Sequence, residues 1–372
     1  MRPVVRIAQP REDIPPGPYN LPTYPDVYSY AALPSGSAVT LDMSVDTAPS
    51  RTLELQALAA GPAGTGAPSP LFSASTYTPT LRVWAGWATE AGAEYLEDMG
   101  WYWAEEYGTE GGELHARYTS SESNVIGRRD YSSIGYIGYQ DTTNWSAMTI
   151  PKFVQRNLDM AWSDLAFRKP AVSMTGTPAY VGTTADAWGA GYGTDLWSQI
   201  AGALQAARMR IAVGDDNSWK IKPATTAPGT VAAAFTDGPQ GNLASYDSVQ
   251  DLEGPVQVVA SFEWTDSSGA RKSIISASGV VSLGNSDQIS EYETRNEPAT
   301  KESAKAYCES RLRALRSVAT QRTITAPMMP WLRPDDTITI TVDEKTYTCL
   351  IRTVSYNPIE GTMKITTREA VA

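Results

Sequence analysis

The sequence predicts a mainly β chain with α+β segments, on three observations. Short runs alternate apolar and polar residues from residue 38 to residue 367, the period of a half-buried strand. The 372 residues include 29 glycines and 25 prolines, which break a chain into many turns. Apolar residues recur at helical spacing in only three places, near residues 151–169, 194–209 and 301–319.

Residues 1–36 come first. Pro15, Pro16, Pro18, Pro22 and Pro25 are interleaved with Tyr19, Tyr24, Tyr28 and Tyr30, a composition that resists helix and central strand alike. The expected form is an extended arm lying on another surface, with a disordered leader as the alternative. Alternation then marks strands at 38–45 and 51–57, a Gly/Pro/Ser/Thr-rich loop at 60–80, and a strand at 81–87. Residues 90–113 carry eight acids and no base, interleaved with Tyr95, Trp101, Tyr102, Trp103 and Tyr107. They are expected to form an acidic loop facing solvent or a neighbouring subunit.

Val154, Leu158, Trp162 and Leu165 give the first helical stretch. In the second, Thr194 is the expected N-cap, and Leu196, Ile200, Leu204 and Ala207 share a face. A hairpin follows, with strands 210–213 and 219–222 around the turn 214–217. Residues 230–298 read as all-β: strand 256–264, turn 266–269, strand 271–277 and a further strand from 279 to 283. The third helix, 301–319, aligns Ala304, Tyr307, Cys308, Leu312, Leu315 and Ala319. Strands at 323–325, 337–342, 347–354 and 363–367 complete the chain.

Composition bounds the chemistry. The formal charge is −11, and hydrophobic residues make up 42% against 19% charged, which describes a globular protein poorly suited to general phosphate-backbone binding. The charge is lopsided: residues 1–150 hold 8 bases against 17 acids, whereas residues 300–322 hold six bases (Lys301, Lys305, Arg311, Arg313, Arg316, Arg322) against two acids. That basic stretch suits docking onto an acidic neighbour, such as residues 90–113 of another copy, or is an ordinary solvated face. Cys308 and Cys349 are far apart in sequence, with no metal-knuckle spacing, and Cys308 lies on a predicted apolar face. No apolar leader and no 18-residue apolar run is present, so neither a signal peptide nor a membrane-spanning segment is expected.

Candidate sites are weak throughout. Glu105 and Glu106 beside Trp101 and Trp103 have the residue types of a glycan-binding or glycan-hydrolysing site, but adjacent carboxylates do not make an acid/base pair unaided. Asp215-Asp216-Asn217 begins like a calcium loop, yet lacks the alternating ligands and closing Glu, and reads as a hairpin turn. His115 is the sole histidine, with no GxSxG elsewhere to pair with it. Gly189, Gly191 and Gly193 precede a helix without the spacing of a phosphate loop. No catalytic, cofactor-binding or metal site is therefore predicted, and the chain is not expected to be an enzyme.

One segment is more specific. After helix 301–319 the chain reads Thr323-Ile324-Thr325-Ala326-Pro327-Met328-Met329-Pro330-Trp331-Leu332-Arg333-Pro334-Asp335-Asp336-Thr337-Ile338, and then Gly361-Thr362-Met363-Lys364-Ile365-Thr366-Thr367-Arg368. Together with the helix and hairpin after residue 190, this resembles the minor tail proteins that form the tail hub of long-tailed actinobacterial phages, themselves similar to the baseplate hubs of contractile phages. Asp335 stands where that pattern usually carries Gly, and Asp tolerates the left-handed backbone better than most residues. The resemblance covers roughly residues 190–372; residues 1–150 are assigned by position.

The resemblance implies two β-barrel-like hub domains plus helix-containing connecting domains. The expected division is an N-terminal arm and first β-rich domain at 1–150, an α+β segment at 151–229, a second barrel-like domain at 230–299, and a C-terminal helix plus β segment at 300–372. It further implies a homotrimeric ring at the distal end of a tail tube. Expected partners are the tube or distal ring protein on one side and tip or fibre proteins on the other, with DNA passing through without specific binding. The expected location is the virion tail, assembled in the host cytoplasm. The chain stops just after the last hub-like strand, so the resemblance implies a hub without an appended effector. The hub of a phage-like injection machine is an alternative.

Overall fold

The computed structural model describes residues 1–10, 28–30, 37–58, 80–110, 113–127, 149–161, 169–174, 195–224, 227–250, 257–266, 268–278, 290–295 and 298–369. The fold is mainly β. The first strands are β1 (Arg2–Pro10), β2 (Tyr28–Tyr30), β3 (Ala38–Ser44), β4 (Arg51–Leu58), β5 (Thr80–Ala88), β6 (Glu94–Glu110) and β7 (Glu113–Thr119). Helix α1 (Ile150–Ala161), β8 (Val172–Met174), α2 (Leu196–Ala206), β9 (Met209–Val213) and β10 (Trp219–Pro223) follow. Next come β11 (Val231–Thr236), β12 (Ser245–Gln250), β13 (Gln257–Thr265), β14 (Arg271–Ala277), β15 (Ser290–Arg295) and helix α3 (Lys301–Ala319). The last strands are β16 (Thr320–Pro327), β17 (Thr337–Val342), β18 (Lys345–Asn357) and β19 (Thr362–Glu369).

Thirteen of these strands form one sheet. Its main path is β12-β16-β19-β18-β3-β4-β7-β6-β5-β1-β2, with β17 and β11 branching from β18. The alternation read in the sequence sets its inner face. Val39, Leu41 and Met43 of β3 stand opposite Leu55, Leu53 and Arg51 of β4, and the apolar members of that set are buried. The inner faces of both ends of the chain line a single core, running from Ile7 through Tyr102 and Tyr118 to Ile340, Tyr356 and Ile365.

Strand β18 makes this possible. Its first half pairs with β17, its second half with β3, and β19 runs along its other edge. The change of neighbour falls at a bulge between Ile351 and Thr353, where Arg352 is the extra residue. The sheet closes no barrel among the described residues, although barrel-like domains were expected.

Two smaller bodies complete the structure. Helices α1 and α2 cover the sheet β8-β10-β9 through Phe153, Leu158, Ile200, Trp219 and Ile221. Helix α3 covers the sheet β14-β13-β15 through Ala304, Tyr307 and Cys308 against Val258, Ala260 and Phe262. Thr300 caps α3 in a reciprocal box with Ser303.

Three elements differ from expectation. Residues 94–110 form a strand, not an acidic loop. Residues 2–10, expected in an extended arm, lie within the sheet beside β5 and bury Ile7 and Ala8; the proline-rich residues 11–27 of that expected arm lie outside the described residues. The N-cap of α2 is Asp195, whose carboxylate accepts the Ser198 N–H at 2.8 Å; Thr194, expected there, lies outside the described residues. The expected strand 279–283 and the helical positions Trp162 and Leu165 also lie outside them.

Candidate functional site

Three parts of the chain meet where β4 begins, where the hairpin β9–β10 turns, and where the loop 328–336 crosses them. Two carboxylates hold them together. Asp215 accepts Arg51 Nη1 at 2.6 Å and Arg333 Nε at 3.2 Å. Asp335 accepts Arg368 Nη2 at 2.8 Å and a close contact from Arg210. The first clamp thus ties the hairpin turn to β4 and the 328–336 loop. The second ties β9 and β19 to the same loop.

Local backbone geometry builds the first clamp. A bulge between Val83 and Trp84 on β5 leaves Met99 of β6 as an extra residue, and Gly100 beside it has φ +100°. A Cβ at Gly100 would lie 2.6 Å from Arg51 Nη1, so glycine is required twice over, by backbone and by space. The Met99 carbonyl accepts Arg51 Nη1 at 3.2 Å and the Tyr102 hydroxyl at 3.1 Å. Arg51 also donates to the Val213 carbonyl of β9, and Arg333 Nη2 donates to the Asp98 carbonyl at 2.7 Å.

The second clamp rests on Asp335, which adopts φ +78°. The turn that usually needs glycine therefore survives here, and the side chain gained is 8% exposed between two guanidiniums. Burial and the neighbouring Arg368 pull Arg210 down to about 10, and burial lowers Arg368 as well. At Arg333 burial also disfavours the charge, but Asp215 together with Tyr356 and Tyr102 outweighs it and the guanidinium is held above its ordinary value. The Tyr102 and Tyr356 phenols beside it are pushed up by burial. Such charge-assisted contacts are short and directional, and they fix the angle at which the segments meet.

The residues singled out in the sequence are dispersed. Trp101 and Trp103 are buried on the outer face of the sheet, clustered with Ala8 and Trp84, and offer no open platform to a sugar. Arg82 lies over Trp84 and Trp101 at 5.2 and 5.4 Å and pairs with Asp98. Glu105 is the extra residue of a second bulge and pairs with Arg117 at 3.3 Å, while Glu106 is exposed.

His115 stands opposite Gly108, where a Cβ would lie 2.1 Å from its Nε2; the imidazole fills the space that glycine leaves. Asp215 lies in a hairpin turn, as read, but its neighbours are guanidiniums. Gly189, Gly191 and Gly193 lie outside the described residues.

The basic stretch at 300–322 is partly committed within the chain. Arg311 pairs with Glu291 and Glu293 at 2.8 and 2.7 Å, and Arg322 is buried over the Tyr347 ring at 4.1 Å. Among the described residues there is no group of three His, Cys, Asp or Glu placed to hold a metal ion, and no helix long and apolar enough to cross a membrane.

Sequence reasoning missed Arg51, Arg333 and Arg368 as partners. Asp335 carried a signal, as an acid in a glycine's place, and Asp215 was read only as part of a hairpin turn.

No family model matches the chain, and no curated protein does. Solved structures share its fold along nearly its whole length. A tail protein from Neisseria meningitidis MC58 aligns with TM-score 0.65 at 10% identity, covering 99% of this chain and 97% of that one. The 43 kDa tail protein of prophage MuSo2 from Shewanella oneidensis aligns with TM-score 0.59 at 10% identity, covering 98% of each chain. Prophage tail protein gp18 from Listeria monocytogenes EGD-e aligns with TM-score 0.54 at 10% identity, covering 98% of this chain and 94% of that one.

Proposed function

We propose that this chain is a structural protein of a phage-type tail: a hub that assembles as a homotrimeric ring at the distal end of the tail tube and gates the passage of the genome. The observation that carries the reading is a fold shared with tail proteins from end to end, covering 99% of this chain and 97% of the Neisseria protein. The resemblance of segment 323–338 to tail-hub proteins favours the hub role in particular, and Asp335 takes the positive φ that the glycine of that pattern would suit.

In this reading the ring binds the tube or distal ring protein on one side and tip or fibre proteins on the other. DNA slides through without specific binding, and the formal charge of −11 favours that, since basic walls would retain phosphate. The clamps at Asp215 and Asp335 keep each subunit rigid, so that any opening is a movement between subunits. The glycan reading has no observation in its favour, because Trp101 and Trp103 are buried and Glu105 is paired.

Native mass spectrometry and electron microscopy of the purified protein test the proposal. Trimers with a central opening, and the chain located at the tail tip of virions, are expected. A protein that stays monomeric at tens of micromolar and is absent from virions would overturn it.

A further inference from the structure

Resting on the trimer reading, we infer that subunits join head to tail, with helix α3 of one copy seated on an apolar patch at the end of the large sheet of the next. The patch is built by two turns and the start of β6. Tyr95 is 67% exposed beside Trp87, its cross-strand partner. The Trp87 indole donates to the Met328 carbonyl at 3.1 Å, and it abuts Gly361 in the β18–β19 turn. The Met328 N–H donates to the Gly361 carbonyl at 2.8 Å, which joins the two turns that carry Trp331, 50% exposed, and Ile359, 42% exposed. Large apolar side chains exposed together in this way mark a contact surface.

The rim of the patch is acidic. Glu90, Glu97 and Glu360 are exposed and form no ion pair among the described residues. The nearby bases are spent, Arg6 on Glu94 and Arg82 on Asp98, and Arg2 stands on the opposite face of the sheet.

The occupant follows from charge. Copies of a chain carrying −11 repel one another unless an acidic surface meets a basic one. Among the described residues, the outward side of α3 exposes Lys301, Lys305 and Arg313 alongside Glu302 and Glu309, and it belongs to the 300–322 stretch in which bases outnumber acids six to two. Lys305 is held only by Glu309 at 3.8 Å, with both side chains largely open to water. Long basic side chains suit this patch, because their aliphatic stems cover aromatic rings while their charges reach the rim carboxylates. Within one chain α3 packs on β13, β14, β16 and β19, so the contact with the patch is made between copies. Joining two different surfaces is a heterologous contact, the kind that closes a ring.

Charge reversal tests the pairing. Sedimentation velocity is run on the full chain, on Glu90→Lys/Glu97→Lys, on Lys301→Glu/Lys305→Glu, and on all four changes combined. Each reversed pair is expected to weaken trimer formation by about tenfold or more, and the combined variant to recover to within about threefold of the original. The original trimer is also expected to loosen as salt rises, which requires no variant to fold. A trimer indifferent to both reversals, unrescued by combining them, or tightened by salt overturns this inference and leaves the trimer reading standing. An original chain that stays monomeric at tens of micromolar removes this inference together with the trimer it rests on.

Discussion

The junction around Asp215 and Asp335 and the small body of α3 use the same chemistry, arginine against carboxylate, with different consequences. At the junction the Arg51 and Asp335 side chains are each 8% exposed, and removing one partner strands a charge away from water. On the small body Arg311 is 40% exposed, and water replaces whatever is lost. Burial, not the number of ion pairs, decides which contacts hold the molecule together.

The largest effect that would break this comparison is at Asp335. Asp335→Ala removes the carboxylate held between Arg210 and Arg368, leaving Asp46 as the carboxylate that still favours both charges, and is expected to cost about 3 kcal/mol in urea unfolding. Asp335→Gly loses the same carboxylate but suits the positive φ, so it should cost about 1 kcal/mol less. Equal losses would mean that backbone conformation contributes little there.

Gly100→Ala comes next. A Cβ at φ +100° that crowds Arg51 should cost about 2 kcal/mol, measured in the same way. A neutral result would show that the bulge does not position the clamp.

The small body sharpens the contrast through pH. Burial alone would raise Glu293, but hydrogen bonds from Tyr307 and Arg311 outweigh it and hold the carboxyl below its ordinary 4.5. A depressed pKa gives stability that is present above 4.5 and is lost as pH falls through the lower folded value. Glu293→Gln should therefore flatten the acid limb of the stability profile by lowering stability at neutral pH, while leaving the lowest pH values little changed. The smallest effect is at Lys305 and Glu309, where removing either should change stability by about 0.5 kcal/mol or less.

Much of the fold was legible because local pattern and tertiary burial agree. Helix α3 buries Ala304, Tyr307 and Cys308, the positions its periodicity selected, and the hairpin β9–β10 turns where the run of turn residues lies. Strand β6 was hidden for a physical reason. Its bulges at Met99 and Glu105 each reverse which face the next residue takes, so no clean alternation survives, and its acids read as loop.

The clamps were illegible for a different reason. Arg51 and Arg333 are ordinary surface residues until segments distant in sequence bring Asp215 between them.

Strand β18 also has a consequence for how the protein is made. It pairs with β3 across about 300 residues of chain. At about 5–20 residues per second, a ribosome leaves β3 waiting roughly 15 to 60 seconds for its neighbour. Throughout that interval one edge of the N-terminal strands has no partner, and an unpaired edge invites pairing with other chains. The large core therefore closes only after synthesis has passed β18, and the cell must keep nascent copies apart until then.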